Sequence, residues 1–421
     1  MLEERIVKTM IARRRDFHRY PEAGWEEFRT TAKIAEILIA LGYDVHFASE
    51  YLKREYVMGY NINAEAEKKR AEKEGADPLI LQKCGDYTGL YADFDTGCPG
   101  PFTVFRFDID CVETAESPSP ERLPVKEGFV SCRAGRHHAC AHDGHTAIGL
   151  ALAELVKKEP SFSGRFRFLF QPAEEGVRGG YAMTRAGLVD GADYFLSLHL
   201  GLGTPTGVVY GGLEGFLYST KFDADFTGRG AHSGVEPEKG KNALLGAAAA
   251  ALGLHAIAPH SGGKTFINVG VLNAGEGRNV VPPKAYMKIE IRGETTETAE
   301  YMYRRSVEIL EGSAKMYDLD LAVIKQGEAI TVNSSPELAA IVTEEAAAIP
   351  GVKAQQSWRM IGSEDASWMM KRVQDGGGKA SYAGVGADIT AGHHNSAFDF
   401  DEAALPVAVE TLFRTVKRLH G

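Results

Sequence analysis

Cysteine is scarce in this chain and shows no pairing pattern: Cys84, Cys98, Cys111, Cys132 and Cys140 are odd in number and contain no C-x-x-C. A cytoplasmic protein with reduced thiols is the simplest reading. Basic charge is in deficit as well. Against 57 carboxylates stand 47 lysines and arginines, a net charge of −10, which sets nucleic acid aside as the main partner because phosphate binding relies on basic surface. A small anionic substrate stays open, since one or two local arginines decide that. No uninterrupted apolar run opens the chain; MLEERIVKTMIARRRDFHRYPE mixes charge with spaced apolar residues and reads as neither secretory signal nor membrane anchor. Repeats are lacking, and the one biased tract, ALLGAAAAALGLHAIA, reads as plain helix.

What is present is an ordinary globular composition, 44% hydrophobic and 25% charged over 421 residues, long enough for two or three folding units. A core of that size needs no structural metal, so any metal would serve chemistry. Residues 3–41 carry an amphipathic helical pattern interrupted near Tyr20-Pro21, and the charged segment 51–85 predicts an exposed helix ended by Gly75 and Pro78. From residue 86 onward, strand-like runs (GPFTVFRFDID, GRFRFLFQP, DYFLSLHLG) alternate with helical ones, including Thr146–Lys158. That is the α/β pattern, which predicts a mixed, mostly parallel sheet flanked by helices. Residues 215–327 change character, giving β-α-β-β-α-β, the ferredoxin-like α+β arrangement. The expected organisation is therefore a larger domain, 1–214 with 328–421, interrupted by a small inserted one.

Five segments concentrate polar residues, mostly just beyond apolar strands, where α/β sheets place their sites. HHACAHDGHTA offers Cys140, His142 and His145. A thiolate and a neutral imidazole suit Zn²⁺ and related ions, while a buried structural Cys beside a hydrogen-bonded His fits equally. FLFQPAEEGVRGG carries Glu174 and Glu175 after a strand; adjacent carboxylates there repel unless a cation or shared proton holds them, and one could bind metal while the other acts as general base. DYFLSLHLG ends near His199, and AGHHNSAFDFDE offers His393 and His394. FRFDID ends in Asp108 and Asp110; Asp110 could cap its loop or orient a ligating histidine.

In this order, CAHDGHTA, QPAEEG, a strand-terminal His, GRGAHSG and HHNSAFDFDE resemble the M20 family of metallopeptidases and amidohydrolases over nearly the whole chain. The resemblance implies a site for two divalent ions, Mn²⁺ favoured over Zn²⁺, bridged by Cys140 as thiolate and completed by His142, Glu175, His199 and His394. It makes Glu174 the general base and Asp110 a ligand-orienting residue, and it leaves His145 outside the ligand set. His393 is the rival for the last position. In the inserted domain, which it makes a dimerisation domain, His232 matches an oxyanion-stabilising histidine that often reaches across a dimer interface. Asn279 and Arg292 match residues that contact the substrate carboxylate or the reacting centre. Arg is suited to bidentate carboxylate recognition, although at a strand end it is often plain surface charge. The implied activity is metal-assisted hydrolysis of an N-acyl amino acid, with p-aminobenzoyl-glutamate foremost, by a homodimer or a heterodimer with a related subunit. The alternatives are another N-acyl amino acid or dipeptide as substrate, or the role of a non-catalytic partner in a heteromeric hydrolase. Glu364 and Asp365 in GSEDAS take a supporting place near the site, and Arg178 carries no assigned role.

Overall fold

A computed structural model describes residues 2–360 and 362–421. The chain forms two compact units: Met1–Glu214 with Val332–Met360 and Asp365–Gly421, and Gly215–Thr331 with Ile361–Glu364. In chain order the strands are β1 (Asp44–Phe47), β2 (Leu90–Asp95), β3 (Phe102–Asp108), β4 (Arg165–Gln171), β5 (Tyr194–Leu200) and β6 (Val208–Glu214). There follow β7 (Tyr218–Thr227), β8 (Thr265–Ala274), β9 (Lys284–Gly293), β10 (Asp320–Ala329), β11 (Lys353–Arg359) and β12 (Lys379–Val385).

The larger unit is built on an eight-stranded mixed sheet of order β1-β2-β4-β3-β5-β12-β6-β11. Its centre, β4-β3-β5-β12, is parallel, whereas β1, β2 and the β12–β6 pairing are antiparallel. Every residue of β3 is buried, as expected for a parallel strand covered on both faces. Phe105 stacks on Phe168 with ring centroids 4.7 Å apart. Successive side chains of a strand face opposite ways, and β3 uses both directions. Phe107 lies against Gly149 of helix His142–Lys158, while Arg106 reaches Asp365, immediately before helix Ala366–Asp375. Because β3, β4 and β5 run parallel, Asp108, Gln171 and Leu200 end on the same edge of the sheet, and the loops that leave them converge there.

The smaller unit is an antiparallel sheet of order β10-β7-β9-β8, with helices Ala243–His255 and Thr296–Met316 packed on each other and on the sheet. The element order is β-α-β-β-α-β. Phe222, Ala224 and Phe226 of β7, and Met287, Ile289 and Ile291 of β9, form its interior at period two. The sequence pattern sets its end at 327, but β10 stays paired with β7 through Ala329, so the unit runs to Thr331.

Two local expectations change. Helix His142–Lys158 begins four residues before Thr146: Asp143 is in its first turn, where the positive end of the helix dipole suits it, and Gly144 leaves room for Leu200 and Phe400. In the charged segment, Pro78 opens a second helix, Pro78–Cys84, after Ala64–Lys73, in keeping with proline's preference for the first helical turn. The second helix buries Ile80, Leu81 and Cys84. No helix among the described residues is long and apolar enough to cross a membrane.

Candidate metal centre

Cys140 and His142 flank Ala141, whose φ of 64° is in the left-handed region. That turn brings two side chains separated by one residue towards the same point, which regular helix would not do. Cys140 Sγ lies 3.5 Å from Nε2 of His199 at the end of β5. His142 Nε2 stands 3.8 Å from Glu174 Oε2 and 3.8 Å from Glu175 Oε1. His394 Nε2 is 3.3 Å from Glu175 Oε2, and the His394 backbone N–H donates to the Ala139 carbonyl. The donor atoms fall into overlapping groups, each within 4.8 Å: Cys140 with His199 and His393, Cys140 with Glu175 and His394, and His142 with Glu174 and Glu175.

The tautomers fit metal binding. His142 Nδ1 donates to the Asp110 carbonyl at 2.9 Å and lies 3.3 Å from Asp110 Oδ1, while His199 Nδ1 donates to the Leu200 carbonyl at 2.8 Å. Each ring therefore directs Nε2 into the cluster, and outer-sphere hydrogen bonds of this kind orient metal-binding imidazoles. His142 Nε2 is buried and makes no hydrogen bond, the condition expected of an atom whose partner is a cation. Burial disfavours charge on His142, yet Asp108 and Asp110 hold its pKa well above the usual value. Burial and Glu175 push the Cys140 thiol up. A divalent ion held here would favour the thiolate form of Cys140.

His393 joins the group through Cys140 and His199, but its Nε2 already accepts the Leu202 N–H at 3.2 Å. His145 is an anchor: Nδ1 lies 2.6 Å from Asp108 Oδ1, and Nε2 accepts the Leu200 N–H at 3.0 Å. It thus ties the end of β3 to the strand end carrying His199. Asp110 has two tasks, since Oδ2 also accepts the Glu175 N–H at 3.0 Å. Asp365 accepts from Arg106, Gln171 and the Gly180 N–H, clamping both sides of the paired-glutamate turn. Glu364 is buried and falls in the smaller unit.

The N-terminal helix Glu4–Arg19 contributes two residues that motif reading passes over. Buried Arg14 pairs with Asp143, Asp399 and Glu402, joining the Cys140–His142 turn to the segment after His394. His18 donates to Asp143 at 2.9 Å and to Glu116 at 3.0 Å. His18, Glu116 and His137 also lie close enough to hold an ion, but Glu116 already receives His18, Arg122 and the Ser131 N–H. Glu116 is thus fully engaged, while His137 lies 3.6 Å from it and neither of its ring nitrogens makes a hydrogen bond. No local signal in the sequence marks Arg14 or His18.

In the smaller unit, His232 is exposed and forms a backbone bridge with Val280, and the Ser233 N–H donates to the Asn279 carbonyl at 3.0 Å. His232 and Asn279 are thus neighbours on adjoining loops. Arg292, on β9, pairs with Glu290 at 3.1 Å.

Thiol, imidazole and carboxylate donors gathered beyond the ends of the central parallel strands suit a metal-dependent hydrolase. Residues 104–418 match peptidase family M20/M25/M40, and the chain belongs to that family. It is 46% identical over 417 residues to an indole-3-acetyl-aspartic acid hydrolase of Enterobacter agglomerans, covering 97% of this chain and 95% of the relative. It is also 46% identical over 408 residues to one of the subunits of p-aminobenzoyl-glutamate hydrolase from Escherichia coli K12, covering 96% and 94%. Among solved structures, an aminobenzoyl-glutamate utilization protein from Klebsiella pneumoniae superposes with a TM-score of 0.84 at 40% identity, covering 98% of this chain and 96% of that one.

Proposed function

We propose that the protein is a metal-dependent amidohydrolase that cleaves the amide between an aromatic acyl group and an acidic amino acid, with p-aminobenzoyl-glutamate as its substrate. The observation that carries this reading is the position of Cys140 in two donor groups at once, one with His199 and one with Glu175 and His394. Cys140, as a thiolate, would be the donor common to both groups and would help hold two divalent ions. His142, Glu175, His199 and His394 are the remaining ligands, with Mn²⁺ favoured and Zn²⁺ suitable for the same donors.

When bound, divalent ions supply positive charge that polarises the scissile carbonyl and acidifies water. Glu174, beside His142 and mostly buried, takes the proton from the attacking water on its carboxylate and returns it to the departing amide nitrogen. Asp110 keeps His142 in the ligating tautomer and holds the backbone of Glu175. His232 is the donor for the developing oxyanion, and Asn279 and Arg292 receive the carboxylate of the amino-acid half.

The protein acts as a dimer through the smaller unit, with itself or with a related subunit. Strand β8 is a sheet edge, and Phe266 on it and Leu252 on the neighbouring helix are exposed at 52% and 78%, an unprotected edge of the kind proteins usually cover. Five free cysteines support a reducing, cytoplasmic setting.

A second reading, indole-3-acetyl-aspartate as substrate, is favoured by the equally similar Enterobacter relative. Comparing kcat/KM for the two conjugates separates them: preference for p-aminobenzoyl-glutamate supports the first assignment, and preference for the indole conjugate replaces it.

A further inference from the structure

Glu27 is fully buried at the entrance to helix Phe28–Ala40, yet its side chain does not cap that helix. Glu22 does so, accepting the Arg29 and Thr30 N–H groups at 3.0 and 2.7 Å. The Glu27 carboxyl group turns elsewhere. Oε1 accepts the Ala173 N–H at 2.8 Å, and Oε2 accepts the Thr88 hydroxyl at 2.6 Å. Ala173 has a φ of 56°, a left-handed conformation that is unfavourable for a non-glycine residue and persists only where its surroundings enforce it. Its carbonyl accepts the Arg178 N–H at 3.1 Å, closing the turn that contains Glu174 and Glu175. Gly24 lies so close that a Cβ there would stand 3.0 Å from the Ala173 backbone.

We propose that Glu27 is a positioning residue for the paired-glutamate turn: by holding the Ala173 N–H it fixes the direction in which Glu174 and Glu175 leave the end of β4. This rests on the metal-centre reading above, in which Glu175 is a ligand and Glu174 the base. Asp110 grips the same turn at Glu175, so two buried carboxylates hold its backbone, at Ala173 and at Glu175. The chemistry Glu27 must supply is an acceptor for Ala173 and a partner for Thr88. Glutamine supplies both, and methionine, of similar volume, supplies neither.

The test compares E27Q and E27M by titrating metal-stripped protein with Zn²⁺ against a competing chelator, alongside kcat, KM and Tm. We expect E27M to bind Zn²⁺ about 10-fold more weakly and to lose kcat on the order of 10–100-fold with KM little changed, while E27Q stays within about three-fold of wild type on each. Equal Zn²⁺ affinity and kcat in E27M and wild type overturn the inference, as does E27Q as impaired as E27M. If E27M does not fold, T88V decides: a fall of about 10-fold in kcat at unchanged KM supports the role, and values within about three-fold of wild type overturn it. Wild-type protein that binds no Zn²⁺ would instead reject the metal centre itself, a result distinguishable from failure of Glu27 alone.

Discussion

His142 Nδ1 donates to the main-chain carbonyl of Asp110 at 2.9 Å, and the side chain of the same aspartate accepts the Glu175 N–H at 3.0 Å. One residue at the end of β3 therefore sets the tautomer of one donor and the backbone position of another. D110A keeps the main-chain carbonyl but removes the Oδ1 contact with His142 and the acceptor for the Glu175 N–H; it should leave the fold intact and weaken metal binding about 10-fold, as loss of an outer-sphere partner does elsewhere. Metal content after dialysis against a weak chelator reads this directly; undiminished retention removes Asp110 from that role.

Glu174 is assigned to proton transfer and Glu175 to binding, a division that separates neighbouring residues experimentally. E174Q should keep its metal and lose turnover on the order of 10²–10⁴-fold, the usual contribution of a general base. E175Q should lose metal as well. Near-normal turnover in E174Q would transfer the base role elsewhere.

The cluster beneath the N-terminal helix makes stability depend on pH. Burial opposes charge on Glu116, but His18 and the Ser131 N–H hold its pKa down to about 2. A depressed carboxylate contributes stability above its unfolded value of 4.5, and that contribution is lost as pH falls towards 2. His18 is raised above 6.5 by Asp143 and Glu116 despite burial. Its contribution is complete below that value and is lost as pH rises through the raised pKa. The Tm gap between wild type and E116Q should thus be widest from about pH 5 to 6.5 and narrow on both sides. A gap constant from acid to alkali contradicts the assignment.

If β8 and the helix beside it form the dimer face, F266E and L252E should shift the mass measured by light scattering from dimer to monomer with little change in Tm. Both side chains are largely exposed within the chain, so the fold itself should tolerate the charge. An unchanged dimer would place the interface elsewhere.

Much of this arrangement is legible in the sequence. The strands carrying Asp108, Gln171 and His199 are apolar runs ending in polar residues, and the fold follows from their alternation with helices. The larger unit's β6, β11 and β12 are not marked: VVYGGLE and KASYAGV carry glycine, and KAQQSWR is mostly polar. They become strands because the sheet beside them supplies hydrogen bonds and burial, a tertiary effect that propensity does not carry. Within the site, the donor residues announce themselves by type. Their supports do not, because Glu27, Arg14 and His18 act across more than a hundred residues of sequence. Nothing local distinguishes a buried arginine or glutamate in a helical segment from an exposed one. His145 is the mixed case: the family resemblance leaves it out of the ligand set, but only geometry shows its anchoring role, with Nε2 accepting the Leu200 N–H.

The most direct measurement is release of p-aminobenzoate from p-aminobenzoyl-glutamate by chelator-stripped protein before and after Mn²⁺ is restored, with Zn²⁺ in parallel. Turnover absent from the stripped protein, regained with added metal and lost in C140A, is the expected result. Undiminished hydrolysis by the metal-free protein, or none by metal-loaded wild type on this or other aromatic acyl conjugates of glutamate and aspartate, would contradict the account.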